Sequence, residues 1–243
     1  MRLSFLISAL MIAQGSPCAQ NLTPKIIQAD NLIKRWSTGS RDVGQQIAIM
    51  PPSPGVKVNE VYLDPAWKKS SIAIYGSDKL LDGFRVRYDL RANSIEFNIN
   101  NEIKVLDVKK VKSMVWLDSM TYIPHNFVNG KEYLVNKIPM TSLIEVLTEG
   151  KTSLYKRYAY WIKKPDFNPA LDVGSPDELI YKENLFYYGD EKALMPVPAK
   201  KKALQAVFGD KLAAIRAFMK ERQLSLSRED DLVKIFDYFN SLQ

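Results

Sequence analysis

The sequence predicts an α+β protein that is mainly β: an antiparallel β-meander, built as a curved sheet or partly closed barrel, with a C-terminal cluster of about three helices. Three observations predict it. Apolar and polar residues alternate with a period of two through Phe84, Val86 and Tyr88, and again through Ile95, Phe97 and Ile99, which turns the apolar side chains to one sheet face. The runs are short and joined by a few turn residues, without the helix-length crossovers that parallel neighbours need. After about Val197 the composition shifts to Ala, Lys and Leu, with apolar residues three and four apart, the spacing of amphipathic helices.

Residues 1–19 read as a secretory signal peptide. Arg2 gives a positive tip, Leu3 to Ala13 is an apolar run, and Gln14 to Ala19 is small and polar. The run is shorter than the ~20 apolar residues a spanning helix needs, and no later run approaches that length. The expected product is therefore exported, to the periplasm, the cell surface or beyond, with no transmembrane span. Cleavage after Ala19 competes with cleavage after Cys18. A lipid anchor on Cys18 lacks the aliphatic residue that such signals carry just upstream. Cys18 is the single cysteine, so no internal disulfide can form and stability must come from burial. The net charge of +7 comes from dispersed lysines, with short clusters at Lys109-Lys110, Lys163-Lys164 and Lys200 to Lys202. Export argues against nucleic acid as the partner.

Residues 20–57 form an N-terminal segment with weak signals. Thr23 as cap and Pro24 in the first turn suit a short helix carrying Ile26, Ile27, Leu32, Ile33 and Trp36, and Pro51 to Gly55 reads as linker. Residues 58–197 form the β-rich domain. Expected strands are Ile72 to Tyr75, Phe84 to Leu90, Ile95 to Ile99, Ile103 to Leu106, Ser113 to Leu117, Tyr122 to Phe127, Lys131 to Asn136, Leu143 to Thr148 and Ser153 to Ile162. Turns fall at Asp82-Gly83, Arg91 to Ser94, Asn100-Asn101 and Glu149 to Lys151. Pro165 to Pro176 is a loop, and a last hairpin runs from Glu178 to Tyr188 and from Ala193 to Val197.

Residues 198–243 form the helical segment. One helix is expected over Pro198 to Phe208, closed by Gly209. A second is capped by Asp210 and carries Leu212, Ile215, Phe218 and Met219. A third follows a capping box of Ser227 and Asp230 and carries Leu232, Ile235, Phe236 and Phe239. These stripes need an apolar surface, and the sheet is the nearest one.

Catalytic equipment is sparse. His125 is the only histidine, it has no Gly-x-Ser-x-Gly elbow to serve, and it reads best as a strand-end residue with a local hydrogen bond. Asp64, Asp89, Asp172, Asp177 and Glu178 are available for a glycosidase pair, but spacing along the chain does not pair them. The sequence carries no phosphate loop, no calcium loop and no metal-ligand set, so no catalytic residue, cofactor or metal is assigned. Trp67, Trp116 and Trp161 fit core packing better than sugar stacking.

The segment Gly83-Phe84-Arg85-Val86-Arg87-Tyr88-Asp89-Leu90 runs on to Ser94-Ile95-Glu96-Phe97. The end of the chain passes through Lys200 to Lys202, Phe208-Gly209-Asp210-Lys211 and Glu229-Asp230-Asp231-Leu232-Val233 to Tyr238-Phe239-Asn240-Ser241-Leu242. In these stretches the chain resembles a family of exported Bacteroidota proteins with no assigned activity. The likeness covers most of the chain from about Val61 onward, implies an exported β body with a helical tail, and brings no catalytic residue. The expected role is binding or scaffolding in the cell envelope, with an envelope protein or glycan as partner. Tyr158, Tyr160 and Trp161 are the expected contacts. The rivals are an exported hydrolase using carboxylates, with or without His125, and a carrier of a small apolar ligand or lipid inside the curved sheet.

Overall fold

A computed structural model describes residues 61–243 except 119, 175 and 191, and the backbone alone of 25–28 and 201. The expected leader and the rest of the N-terminal segment lie outside the described residues. The strands are β1 Lys25–Gln28, β2 Lys68–Ile74, β3 Lys79–Asp89, β4 Ser94–Ile99, β5 Glu102–Asp107, β6 Val111–Leu117 and β7 Pro124–Asn129. They continue with β8 Leu134–Val135, β9 Ile138–Pro139, β10 Leu143–Thr148, β11 Ser153–Lys163, β12 Leu179–Asp190 and β13 Ala193–Pro196. All belong to one sheet, ordered β5-β4-β3-β2-β6-β7-β10-β11-β12-β13-β8-β9, with β1 beside β3.

The sheet is mostly antiparallel and does not close. Two pairings correct the expectation of a wholly antiparallel meander: β1 runs parallel to the first half of β3, and β13 runs parallel to β8. The helix expected from Thr23 is overturned at Lys25–Gln28. This stretch is a strand on Lys79–Asp82, because β4 covers only Val86–Asp89 and leaves that edge of β3 open. Local chemistry sets the hairpins. Asn100 and Asn101 have φ of 52° and 65°, the left-handed pair that a two-residue turn requires, between partners Ile99 and Glu102. Asp82-Gly83, expected as a turn, lies inside β3. Ser70 pairs Phe84 and Ser71 pairs Asp82, so Gly83 is the extra residue of a bulge, at φ 79°. The strand expected over Lys131 to Asn136 is a 3-10 turn, Gly130–Glu132, followed by the two residues of β8.

The sheet curls on itself. Tyr88 of β3 accepts a hydrogen bond from the Leu143 amide of β10 at 3.3 Å, although β2, β6 and β7 lie between them in the sheet. Its hydroxyl donates to Asn93, whose amide in turn donates to the Thr141 carbonyl. Inside the curl lies a first core that includes Ile72, Phe84, Tyr88, Phe97, Met114, Trp116, Phe127 and Leu143, with Tyr158 and Tyr160 packed against it.

The tail holds two helices of more than two turns, α1 Leu212–Glu221 and α2 Glu229–Ser241, instead of about three. The first expected helix is a 3-10 turn, Lys201–Leu204, and a single α turn, Gln205–Phe208. Its start has no side-chain cap and carries lysines where the helix dipole favours acids. Asp210 does not cap α1, because it lies within a 3-10 turn and pairs with Lys211. Ser227 and Asp230 form no capping box. Arg228 occupies the cap position, and three acids in the first turn satisfy the dipole instead. Leu212, Ile215 and Met219 of α1 and Leu232, Ile235, Phe236 and Phe239 of α2 join Leu154 and Tyr188 in a second core. A third, smaller cluster of Met140, Ile144, Tyr155, Tyr187 and Leu194 lies on the opposite sheet face, against Tyr133 and Val135 of the β8 excursion.

Candidate functional site

The first two cores share one sheet face, and a buried polar cluster marks the seam between them. On β10, Leu143 belongs to the first core and Leu147 packs against the second; Glu145 lies between. On β11, Leu154 belongs to the second core and Tyr158 packs against the first; Lys156 lies between. Residues two apart share a face, and Glu145 and Lys156 are direct cross-strand partners. Phe127 of β7 is the partner of Glu145 on its other side, which brings His125, two residues earlier, diagonally to the same carboxylate.

Glu145 is therefore surrounded by donors. His125 Nδ1 lies 2.5 Å from Oε1, the Tyr158 hydroxyl donates to Oε2 at 2.5 Å, and Lys156 Nζ lies 2.7 Å from Oε2. Lys156 also reaches Glu229, the first residue of α2, at 2.6 Å. Burial alone would raise the Glu145 pKa; the adjacent Lys156 charge and the hydrogen bonds from Lys156, Tyr158 and His125 outweigh it and hold the carboxyl below its ordinary value. Burial and then the Glu145 charge push the Tyr158 phenol up. An ionised carboxylate accepts only, so His125 carries its proton on Nδ1 in this contact. The imidazole side chain keeps 32 % of its surface exposed, whereas Glu145 and Lys156 are buried.

This geometry orients an imidazole, as a catalytic carboxylate does, and it joins sheet to tail. It does not form a glycosidase pair. The Lys156 ammonium lies between Glu145 and Glu229 and fills the space a sugar would need. Of the carboxylates singled out in the sequence, Asp64 pairs with Lys68 at 2.9 Å and Asp89 caps the Ala92 amide at 2.8 Å. Asp172, Asp177 and Glu178 are exposed on the loop after β11.

A second polar cluster, on β3 and β4, stacks the Arg87 guanidinium 4.0 Å from the Tyr62 ring centre and 4.1 Å from that of Trp67. Arg87 also pairs with Glu96 at 2.7 Å. Burial, with the Glu96 charge next, pushes the Tyr62 phenol up to about 12. Among the described residues no three His, Cys, Asp or Glu side chains gather as a metal site, and no helix is long and apolar enough to cross a membrane.

The expected contact residues part company. Tyr158 points into the seam. Tyr160 is half-buried, with its hydroxyl 3.5 Å from the Arg91 carbonyl. Trp161, on the other face of β11, is 51 % exposed and stacks on its cross-strand partner Tyr181, ring centres 4.2 Å apart and planes 12° apart. Trp116 is buried, as expected of a core ring, and Trp67 is half-buried beneath Arg87. Phe167, Leu171 and Val173 are exposed on the loop that closes the β11–β12 ribbon. Sequence reasoning missed Glu145, Lys156, Glu229 and Tyr181. The signal for the first two was present: an acid and a base at inward-phase positions of consecutive strands, each between apolar residues two apart. No protein family, curated protein or solved structure matches the chain.

Proposed function

We propose that this chain is an exported envelope protein, of the kind its sequence resembles, that works by binding a partner protein. Its contact surface is the free end of the β11–β12 ribbon. The observation that carries the reading is the exposed apolar group there: the Trp161–Tyr181 stack at 51 % and 41 % exposure, with Leu171 at 69 % on the adjoining loop. Clustered apolar exposure of this kind marks interaction surfaces. Aliphatic Leu171 and Val173, exposed on the loop that follows β11, favour a protein face over a sugar, and each ring already gives one face to the other. The test is capture from envelope extracts by the chain lacking residues 1–19, followed by direct binding of the purified partner. Trp161→Ala with Leu171→Ser is expected to weaken that binding at least tenfold. Equal binding by this variant, or binding of free glycan alone, overturns the reading.

One observation favours a hydrolase as a second reading: the partly exposed His125 is oriented through Nδ1 by a buried carboxylate. Any turnover found in the purified chain should then vanish in His125→Ala, and full retention removes this version. A carrier holding its ligand inside the curl has no support from the described residues, because Tyr88, Phe97, Phe127 and their neighbours fill that space.

A further inference from the structure

Helix α1 and the turn before it border a groove of about 530 Å³, within the size range of small-molecule sites. Its floor is the edge of the second core, where Leu204 and Met219 are almost fully buried and Leu224 is half-buried, and Arg216, Lys220 and Gln223 supply the polar groups. The end of α1 shapes this arrangement. The Leu224 amide donates to the Met219 carbonyl at 2.9 Å and the Gln223 amide to that of Lys220, the crossed pair that closes a helix and folds the following apolar residue back onto the last turn. Gln223 takes the left-handed position at φ 52°. Glycine is the usual residue there and would bring no side-chain amide to the groove.

The charge in the groove has one sign. Arg216 and Lys220 are one helical turn apart and both exposed. The acids nearby are engaged elsewhere: Asp210 with Lys211, Glu221 with Arg222, and Asp231 with Arg228. The turn that supplies Leu204 also carries the exposed Lys200 and Lys202, which add to the positive field. A neutral apolar ligand would leave the two cations without a counter-charge. A small polar anion would leave the half-buried Leu224 and the exposed edge of Met219 in water.

We propose that this groove binds a single-chain amphipathic anion, a hydrocarbon chain ending in a carboxylate or phosphate. The chain lies on Met219, Leu204 and Leu224, and the headgroup lies between Arg216 and Lys220. The site is separate from the β11–β12 ribbon and holds whether or not that ribbon binds a protein.

Calorimetric titration of the full chain with decanoate, decyl phosphate, decanol and inorganic phosphate tests it, with the amphiphiles below micelle-forming concentrations. Saturable one-to-one binding of decanoate or decyl phosphate is expected, and the stronger of the two identifies the headgroup. Decanol and inorganic phosphate should bind at least tenfold more weakly. Arg216→Glu with Lys220→Glu should lower affinity for the anion about a hundredfold, roughly tenfold for each charge-assisted bond, and leave decanol unchanged. Met219→Trp should block the groove. If that variant fails to fold, the charge-reversal pair, on exposed positions, decides alone. Trp161→Ala should bind like the parent chain, which separates this site from the ribbon. Equal binding of decanol and decanoate, an unchanged affinity in the charge-reversal variant, or no saturable binding of either amphiphile overturns the proposal.

Discussion

Replacing Glu145 with Gln tests the seam directly. The substitution keeps the side chain's size and an acceptor for Tyr158 but removes the charge opposite Lys156. Breaking a buried ion pair from one side costs about 3 to 5 kcal/mol. Lys156 retains Glu229 at 2.6 Å, so the lower end applies, about 3 kcal/mol, which for a chain of this size lowers Tm by roughly 6 to 12 °C. Urea unfolding followed by far-ultraviolet circular dichroism reads it as a lower midpoint at unchanged slope. The pH dependence supplies a second check. The folded-state pKa of Glu145 lies below the ordinary value, so its contribution is complete above about pH 4.3 and is lost as pH falls through the folded value. The deficit of Glu145→Gln should therefore be full at pH 7 and shrink on acidification below about pH 4. A deficit under about 1 kcal/mol at pH 7, the size of an exposed pair, or one that does not change down to pH 3, refutes the assignment of Glu145 as a buried ion-pair partner.

Two glycines should separate by mechanism. A Cβ on Gly189 would lie 2.1 Å from the Ala193 carbonyl oxygen, whereas one on Gly76 meets nothing. Gly189→Ala should cost more than about 3 kcal/mol and Gly76→Ala only the left-handed backbone cost of about 1 kcal/mol, both read from urea midpoints. Ile235→Ala, in the second core with no exposure, should cost about 2 to 5 kcal/mol and shift the same curve. In base, burial raises the phenols of Tyr62, Tyr88 and Tyr158; their stabilisation is complete below the ordinary tyrosine value of about 10 and is lost as pH rises through the folded values. Phenolate absorbance from these three should appear together with unfolding, and smooth titration in the folded chain would contradict their burial.

The first half of the sheet was legible because its alternation is local. Phe84, Val86 and Tyr88, then Ile95, Phe97 and Ile99, carry their facing within each strand, and Asn100-Asn101 fixes the turn between β4 and β5. The placement of β6 beside β2 was not legible, because the chain reaches it by passing the whole hairpin set, and nothing local encodes which edge it joins. The seam was hidden for the same reason. Phe127, Glu145 and Lys156 form one row only after three strands are in register. His125 looked ordinary because its partner is 20 residues away. Trp161 was singled out, but its partner Tyr181 lies beyond the loop, and only the β11–β12 register joins them. The tail misled at its start because composition alone favoured a helix over Pro198 to Phe208, whereas lysines in the first turn and the absent cap favoured 3-10 geometry.

The docking of α2 combines an apolar middle with polar ends. Leu232, Ile235, Phe236 and Phe239 supply the burial, which is large but non-directional and tolerates sliding along the sheet. Direction comes from the ends. Glu229 meets Lys156 at the start, and at the finish the Asn240 side chain both donates to and accepts from the Thr152 backbone at 3.0 Å, imitating a strand partner. Asp237 accepts from the Thr148 hydroxyl between them. Contacts at both ends favour the register in which Glu229, Asp237 and Asn240 all find their partners on the sheet. Lys156, placed between two hydrophobic cores and bonded to one acid from each side, is the point at which the sheet specifies where its helical cover must sit.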